Sequence, residues 1–404
     1  MKLDLASLLF CIALVAGLMP PGEGAYVGAY VAMGAGALSL LLYAWPERAA
    51  LLHPVSLAIV LAIVLISLNL PFVYRSDSDL MAPVLLLPML TTIGLGLSGG
   101  AARRFPGATI FAALCLVAVG IAFLGGAYEY LTFGTSRVGL GNNPIHYASL
   151  AVLTGGLTLV GVVSTTSPWR LLFLAGPLLG FGAAILSGSR GPLAAAVVLA
   201  AIGFALLLVW FWRDRLFRFA LLAILLAGAL ASAYLIGSGN DRGLSVIETA
   251  LNIFHFTGSS DDIRAALYAS ALHVLGEAPL LGVGLGQIMD AVQTLYPEQS
   301  EVFTLDNLHA DWANFAVIAG IPGLVAWVLL FCAPLKLLWD RRLRADRPTV
   351  LAAALLSAGQ LALGVSNATF GILPQTVLYA VILGYFFARA RRLTNAQPVS
   401  LASS

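Results

Sequence analysis

The chain is divided into apolar runs of about 20 residues, each long enough to cross the hydrocarbon core of a bilayer as a helix. They lie at roughly 4–20, 25–45, 51–72, 80–100, 107–127 and 146–165. A second set lies at roughly 169–187, 191–212, 216–237, 309–335, 349–367 and 371–389. Hydrocarbon offers no water to bond N–H and C=O groups, so such runs must satisfy their own backbone as helices. Composition agrees, with 60% of residues hydrophobic, only 10% charged and a mean hydropathy of +0.94. Soluble domains carry about 25% charged residues. The expectation is an all-α integral membrane protein, a single polytopic domain over residues 1–404 with about 12 transmembrane helices. The first run is read as a retained helix, because no convincing small-x-small cleavage site follows it. Cys11, Cys115 and Cys332 lie inside apolar runs and have no disulfide or metal spacing.

Charge orients the helices. With the N-terminus in the cytoplasm, the inner loops receive Arg48, Arg103, Arg104, Arg170, Arg213, Arg215 and Arg218. They also receive the basic stretch from Lys336 to Arg347, and then Arg389, Arg391 and Arg392. Most acids fall on the outer side, as the positive-inside bias requires. Five arginines break that bias and sit outside: Arg75, Arg137, Arg190, Arg242 and Arg264. Arg190 stands in Ser187-Gly188-Ser189-Arg190-Gly191-Pro192, a turn barely long enough to join two spans. Pro192 in the first helical turn and the two glycines leave backbone N–H groups free to meet an anion. The alternative for Arg190 is a side chain snorkelling to headgroups; for Arg137 it is an ordinary solvated loop residue.

The stretch 238–308 is the one long hydrophilic segment, an outer loop between helices 9 and 10 expected to form part of a site. Within it, a short amphipathic helix is expected from near Asp262, capped by Ser260 or Asp261. Arg264, Tyr268 and Ala271 share one face of that helix at i, i+4 and i+7. Pro279, Gly282, Gly284 and Gly286 follow, and the apolar run from Leu280 to Ile288 is too short to span, so it is read as a re-entrant piece. His309 then opens the next span, with Ala313, Ala316, Gly320 and Gly323 beneath it as a strip of small residues suited to close approach of a neighbouring helix. A histidine titrating near neutral pH beside outer arginines suggests proton transfer combined with anion binding. His146, His255 and His273 lack such surroundings. Asp77-Ser78-Asp79 has the D-x-D spacing of metal-dependent transferases, but two acids in a short loop are common by chance; no metal site is expected. The spans are nearly free of charge, whereas a transporter would carry polar groups at mid-membrane.

The series R-x3-Y-x2-A-x7-P-x2-G-x-G, a later His309 with Gly320 and Gly323, and the S-x-S-R-G turn together resemble the O-antigen ligase/polymerase superfamily. The likeness covers Ser187 to Gly323, and the first half only by helix count and topology. Ala310 stands where that family usually has a polar residue. The resemblance implies a GT-C-like bundle in the bacterial inner membrane, with both termini cytoplasmic and the active site periplasmic. It implies a metal-independent, inverting glycosyltransferase without cofactor. An O-antigen ligase is the expected form, moving a glycan from undecaprenyl diphosphate to a sugar hydroxyl of lipid A-core. His309, Arg190 and Arg264 are the expected catalytic residues. Arg137, Ser189, Tyr268 and Asp311 are expected to contact the diphosphate or glycan. A polymerase with a second lipid-linked glycan as acceptor, and a lipid-linked glycan transporter, are the rival readings. The short tail after Arg392 is expected to exclude the protein O-oligosaccharyltransferases, which carry a further outer domain.

Overall fold

The computed structural model describes residues 4–237, 259–295 and 305–395. The remainder of the hydrophilic segment, including Gly239–Gly243, His255 and Glu298, lies outside the described residues. Helices occupy every apolar run, and no strand occurs among the described residues. Among the described residues, ten helices are long and apolar enough to cross a membrane. They are α2 (Gly24–Tyr43), α3 (Pro54–Val73), α4 (Asp77–Ala101), α5 (Ala108–Phe133), α6 (Pro144–Ser164) and α7 (Pro168–Ser187). The others are α8 (Arg190–Phe211), α12 (Asp311–Trp339), α13 (Arg347–Ser366) and α14 (Leu373–Asn395). α1 (Leu5–Gly17) is shorter, and α9 (Arg215–Gly237) follows α8. Between α9 and α12 lie α10 (Ser259–Glu277) and the short α11 (Ile288–Leu295). α10 begins at Ser259 rather than near Asp262.

In lipid, helices gain little from burying apolar surface against each other, so close approach of backbones carries the packing. α14 sits at the centre, buried along most of its length, and packs against α4, which in turn meets α2. Gly36 and Gly94 lie at the α2–α4 crossing, where a side chain on Gly94 would run into the Gly36 carbonyl. Gly155 and Gly180 play the same part between α6 and α7. Leu41, Leu131 and Val209 point outward, as expected of lipid-facing positions. Trp45, Trp169, Trp212 and Trp339 are exposed near the helix ends that carry the basic loops, where such rings anchor at headgroup level. On this basic face Arg389 grips Asp346 with both nitrogens (3.0 and 2.8 Å), and Arg391 donates to Glu47 at 2.6 Å.

α12 is broken. Ala319 (φ −140°, ψ 18°) and Gly320 (φ 62°, ψ −142°) leave the helical region in its upper half. Pro322 has no N–H, so the Ile318 carbonyl has no donor four residues on. The Ile321 N–H is turned away to the Pro279 carbonyl at 2.7 Å, which releases the Val317 carbonyl as well. Buried carbonyls need partners, and the chain after α10 supplies them. Val283 N–H donates to Val317 (2.8 Å) and Gly284 N–H to Ile318 (3.2 Å). Asn69 Nδ2 then donates both to Ile318 (2.6 Å) and to Leu281 (2.8 Å). The segment 279–286 is therefore a strap seated in the break of α12. This revises the reading of Gly320 and Gly323 as a strip for a neighbouring helix. A Cβ on Gly320 would meet the Pro279 carbonyl, and one on Gly323 the Phe315 carbonyl of its own kinked helix.

The far end of the strap is held by Asp79. Its carboxylate is fully buried and accepts from the N–H groups of Arg75 (2.9 Å), Ser76 (3.1 Å) and Gly286 (2.7 Å). Gly284 and Gly286 leave room for it, since a Cβ at either would crowd Asp79 Oδ1. One acid of the D-x-D pair is thus a clasp on the loop backbone. Asp77 faces outward and accepts from the Tyr74 hydroxyl at 2.9 Å.

Candidate active site

The strap fixes where α10 ends relative to α12, and these two elements carry Arg264 and His309. α10 turns Leu267, Ala271 and Val274 into the core and leaves Arg264 and Tyr268 half-buried toward the start of α12. The Tyr268 ring packs on Trp312 with centroids 5.4 Å apart, and its hydroxyl reaches the Val365 carbonyl at 3.4 Å. Burial raises the Tyr268 phenol above its ordinary value, with Arg264 acting in the opposite sense.

His309 stands just ahead of α12, whose N-cap is Ala310. Its φ of 51° is left-handed, a state found at only one other non-glycine among the described residues, Leu140. Such a conformation costs on the order of 1–3 kcal/mol and persists where surrounding bonds impose it. Asn307 Oδ1 accepts from the His309 N–H (2.8 Å), and Asn314 Oδ1 from the Leu308 N–H (2.9 Å). Two asparagine side chains thus hold the peptide turned, and the imidazole is half-buried. Burial and then the nearby Arg264 charge push the His309 imidazole below its ordinary value, and Asp306 opposes them. At neutral pH the ring is therefore uncharged and can accept a proton.

Arg137 and Arg190 occupy the turn between α7 and α8. Arg137 donates to the Ser187 carbonyl and to Ser189 Oγ, both at 3.4 Å. Ser189 is buried, so its hydroxyl steers Arg137 and has little surface to offer a ligand directly. Arg190 is exposed in the first turn of α8, and Gly191 beside it abuts Ser366.

These parts converge on a corner that sequence reasoning missed, residues 364–371, where the last turn of α13 passes into the connection to α14. Gly191 touches it at Ser366, Tyr268 reaches it at Val365, and Asp311 binds it from below. Asp311 is fully buried and accepts from the N–H groups of Thr369 (2.7 Å) and Phe370 (3.1 Å) and from the Thr369 hydroxyl. Its carboxylate is taken up by the loop, so Asp311 acts as a tie between the corner and the base of His309, revising the expected contact with substrate. Arg137 and Arg190 sit at the α7–α8 turn, which meets the corner at Ser366, and Arg264 on the helix that meets it at Val365 through Tyr268.

A sequence model of the O-antigen ligase family matches residues 175–328. The resemblance to the O-antigen ligase/polymerase superfamily holds over this segment. It runs from α7 into α12 and contains Arg190, Arg264, Tyr268, His309 and Asp311, together with the strap and the helix break. No curated protein matches the chain.

Three further features lie in or beside the matched segment without having been singled out from sequence. His146, at the start of α6, lies within electrostatic range of His309, and its Nδ1 is buried without a hydrogen-bond partner. This corrects the view that His146 lacks comparable surroundings. Ser366 Oγ and Asn367 Nδ2 in the corner are likewise buried and unpartnered. The only sequence signal was the run Ser366-Asn367-Ala368-Thr369, an unusually polar connection between two long spans. Finally, a cavity of about 420 Å³ opens under the His309 loop. Its walls are apolar (Ile66, Leu86, Leu285, Met289, Phe315, Phe370), and Asp306, Asn307 and Asn314 close its polar end. No arginine of the site lines it; it adjoins the histidine through Asn307.

Proposed function

We propose that the protein is an O-antigen ligase that transfers a glycan from undecaprenyl diphosphate to a sugar hydroxyl of lipid A-core at the periplasmic face of the bacterial inner membrane. The observation that carries this reading is His309, turned into a left-handed backbone conformation beside Arg264 and kept neutral by burial. In the reaction, the acceptor oxygen bonds to the anomeric carbon as the bond to the diphosphate oxygen breaks. The bonding pair leaves on the diphosphate, and the hydroxyl proton passes to His309. A single displacement of this kind inverts the anomeric centre. Charge on the leaving group grows along the path, so Arg190 and Arg264, with Arg137 behind them, stabilise the transition state more than the ground state. Guanidinium suits that task because its planar fork grips two phosphate oxygens and stays protonated. The apolar cavity beneath the His309 loop supports a lipid-borne substrate.

A polymerase reading keeps the same residues and changes only the acceptor to a second lipid-linked glycan. The full-length protein in nanodiscs, given a diphosphate-linked donor and either acceptor, separates the two. Transfer to lipid A-core that persists in chelator is expected. Transfer only to the second lipid-linked glycan favours the polymerase. Transfer to neither, or transfer lost in chelator and restored by a divalent cation, removes the proposal.

A further inference from the structure

The face opposite His309 holds a second polar cavity, of about 410 Å³, at the junction of α6, α7, α8 and α13. Pockets of about 300–1,000 Å³ are the usual size for small ligands. This one is lined by Ser164, Thr165, Thr166, Arg170, Phe211 and Arg347, besides Val163. Two guanidiniums and three hydroxyl groups face one space, which is the chemistry of a phosphate site.

The charges in it are not equivalent. Arg170 is paired with Asp214 and lies over the Phe211 ring at 4.7 Å, so its charge is largely answered. Arg347 rests over Trp210 and Phe211, each at 5.7 Å, and no carboxylate pairs with it among the described residues. Stacking fixes the plane of a guanidinium without using its N–H groups. Arg347 is exposed, keeps its N–H groups clear of any carboxylate among the described residues, and presents an unanswered positive charge to the cavity. Thr166 adds a hydroxyl with no hydrogen-bond partner among the described residues. The exposed rings of Trp169 and Trp212 flank the cavity and set its depth at the level of lipid headgroups.

We infer that this cavity binds a phosphate group between Arg347 and the Thr165 and Thr166 hydroxyls, and that its source is the phosphodiester of an anionic phospholipid; the Ser164 hydroxyl is already donated to the Val160 carbonyl. Basic pockets between spans at this depth suit such headgroups. The inference is independent of the proposed transferase activity, since no residue of the His309 site takes part.

The test uses the full chain in nanodiscs of phosphatidylcholine doped with phosphatidylglycerol, followed by native mass spectrometry. Wild type is expected to retain phosphatidylglycerol in preference to phosphatidylcholine. Arg347→Gln should lower that retention about 10–100-fold, the usual weight of a charge-assisted hydrogen bond. Thr166→Val should lower it less. Arg344→Gln is the control, because Arg344 is exposed on the same face and donates to the Leu338 carbonyl outside the cavity. Titrated inorganic phosphate distinguishes the source: retention that resists it supports the lipid, and displacement supports a phosphate site filled from solution. Equal retention in wild type and a normally melting Arg347→Gln, or an equal loss in Arg344→Gln, overturns the site. If Arg347→Gln does not fold, the Thr166→Val and Arg344→Gln pair carries the same comparison.

Discussion

Gly320→Ala tests whether the strap seated in α12 holds the site together. Gly320 has φ 62° and ψ −142°, near a region that residues with a Cβ rarely enter, and an alanine there costs on the order of 1–3 kcal/mol. The new methyl is also aimed at the Pro279 carbonyl, the acceptor of the 2.7 Å bond from Ile321. Losing that bond adds about 1 kcal/mol. A total of about 2–4 kcal/mol corresponds to roughly 30–900-fold in the ratio of seated to unseated strap. Hydrogen exchange read by mass spectrometry should show the amides of Val283 and Gly284 exchanging faster by about that factor, with those of α14 unchanged. Glycan transfer should fall at least about tenfold, because Arg264 and His309 lose their common support. Asn69→Ala reads the same equilibrium without substituting a residue of α12, by removing the donor to Leu281 and Ile318. Its expected cost is about 1–3 kcal/mol for buried carbonyls left without that partner. Wild-type exchange at Val283 and Gly284 in both variants would refute the reasoning.

The remaining expectations concern single side chains. Arg190→Lys and Arg264→Lys keep the charge but lose the fork, and each should slow transfer roughly 100–1,000-fold while weakening donor binding; a rate within about twofold of wild type would show that the fork is not used. His309→Ala should slow turnover by about 100–10,000-fold with donor binding nearly intact. Since the His309 pKa is lowered, the wild-type rate should fall at a more acidic pH than an ordinary imidazole would give, and the alanine variant should lack that limb. By the same linkage, the fold loses stability as pH drops below the ordinary imidazole value, because the unfolded chain takes up the proton first. Asp79→Ala should lower the melting temperature while Asp77→Ala leaves it nearly unchanged, since only Asp79 clasps buried N–H groups; equal effects would argue against the clasp.

The spans were legible because hydrocarbon imposes one solution on a long apolar run, and every run carries a helix. Arg264 and Tyr268 were legible as one face of a short helix within the hydrophilic segment, and His309 as a polar residue opening a span. The partners of the strap were not. Asn69 and Ile318 lie far apart in sequence, and no local periodicity links an asparagine at the end of one span to a carbonyl in another. Gly320 and Gly323 were misread for the same reason. Their spacing fits a helical strip, but Pro322 between them forces a break whose repair comes from the other side of the hydrophilic segment. The corner 364–371 was missed because its importance lies in what it joins, and Asp311 was mistaken for a ligand contact because a carboxylate beside a histidine looks the same in sequence whether it faces solvent or a loop backbone.

The broken helix also bears on how the sequence can change over time. The main-chain pairs of 283 with 317, 284 with 318 and 279 with 321 form a register between two separate pieces of chain. A one-residue insertion or deletion between Pro279 and Gly286, or between Val317 and Ile321, breaks this register, leaves a carbonyl without its donor and strains the hold of Asp79 on Gly286. Length on the two sides is therefore linked: apart from its glycines and Pro322, this pair of segments can drift in side-chain identity but not in spacing. Tolerance to indels should begin abruptly just outside it, which makes those outer positions the natural places to graft a tag or a reporter.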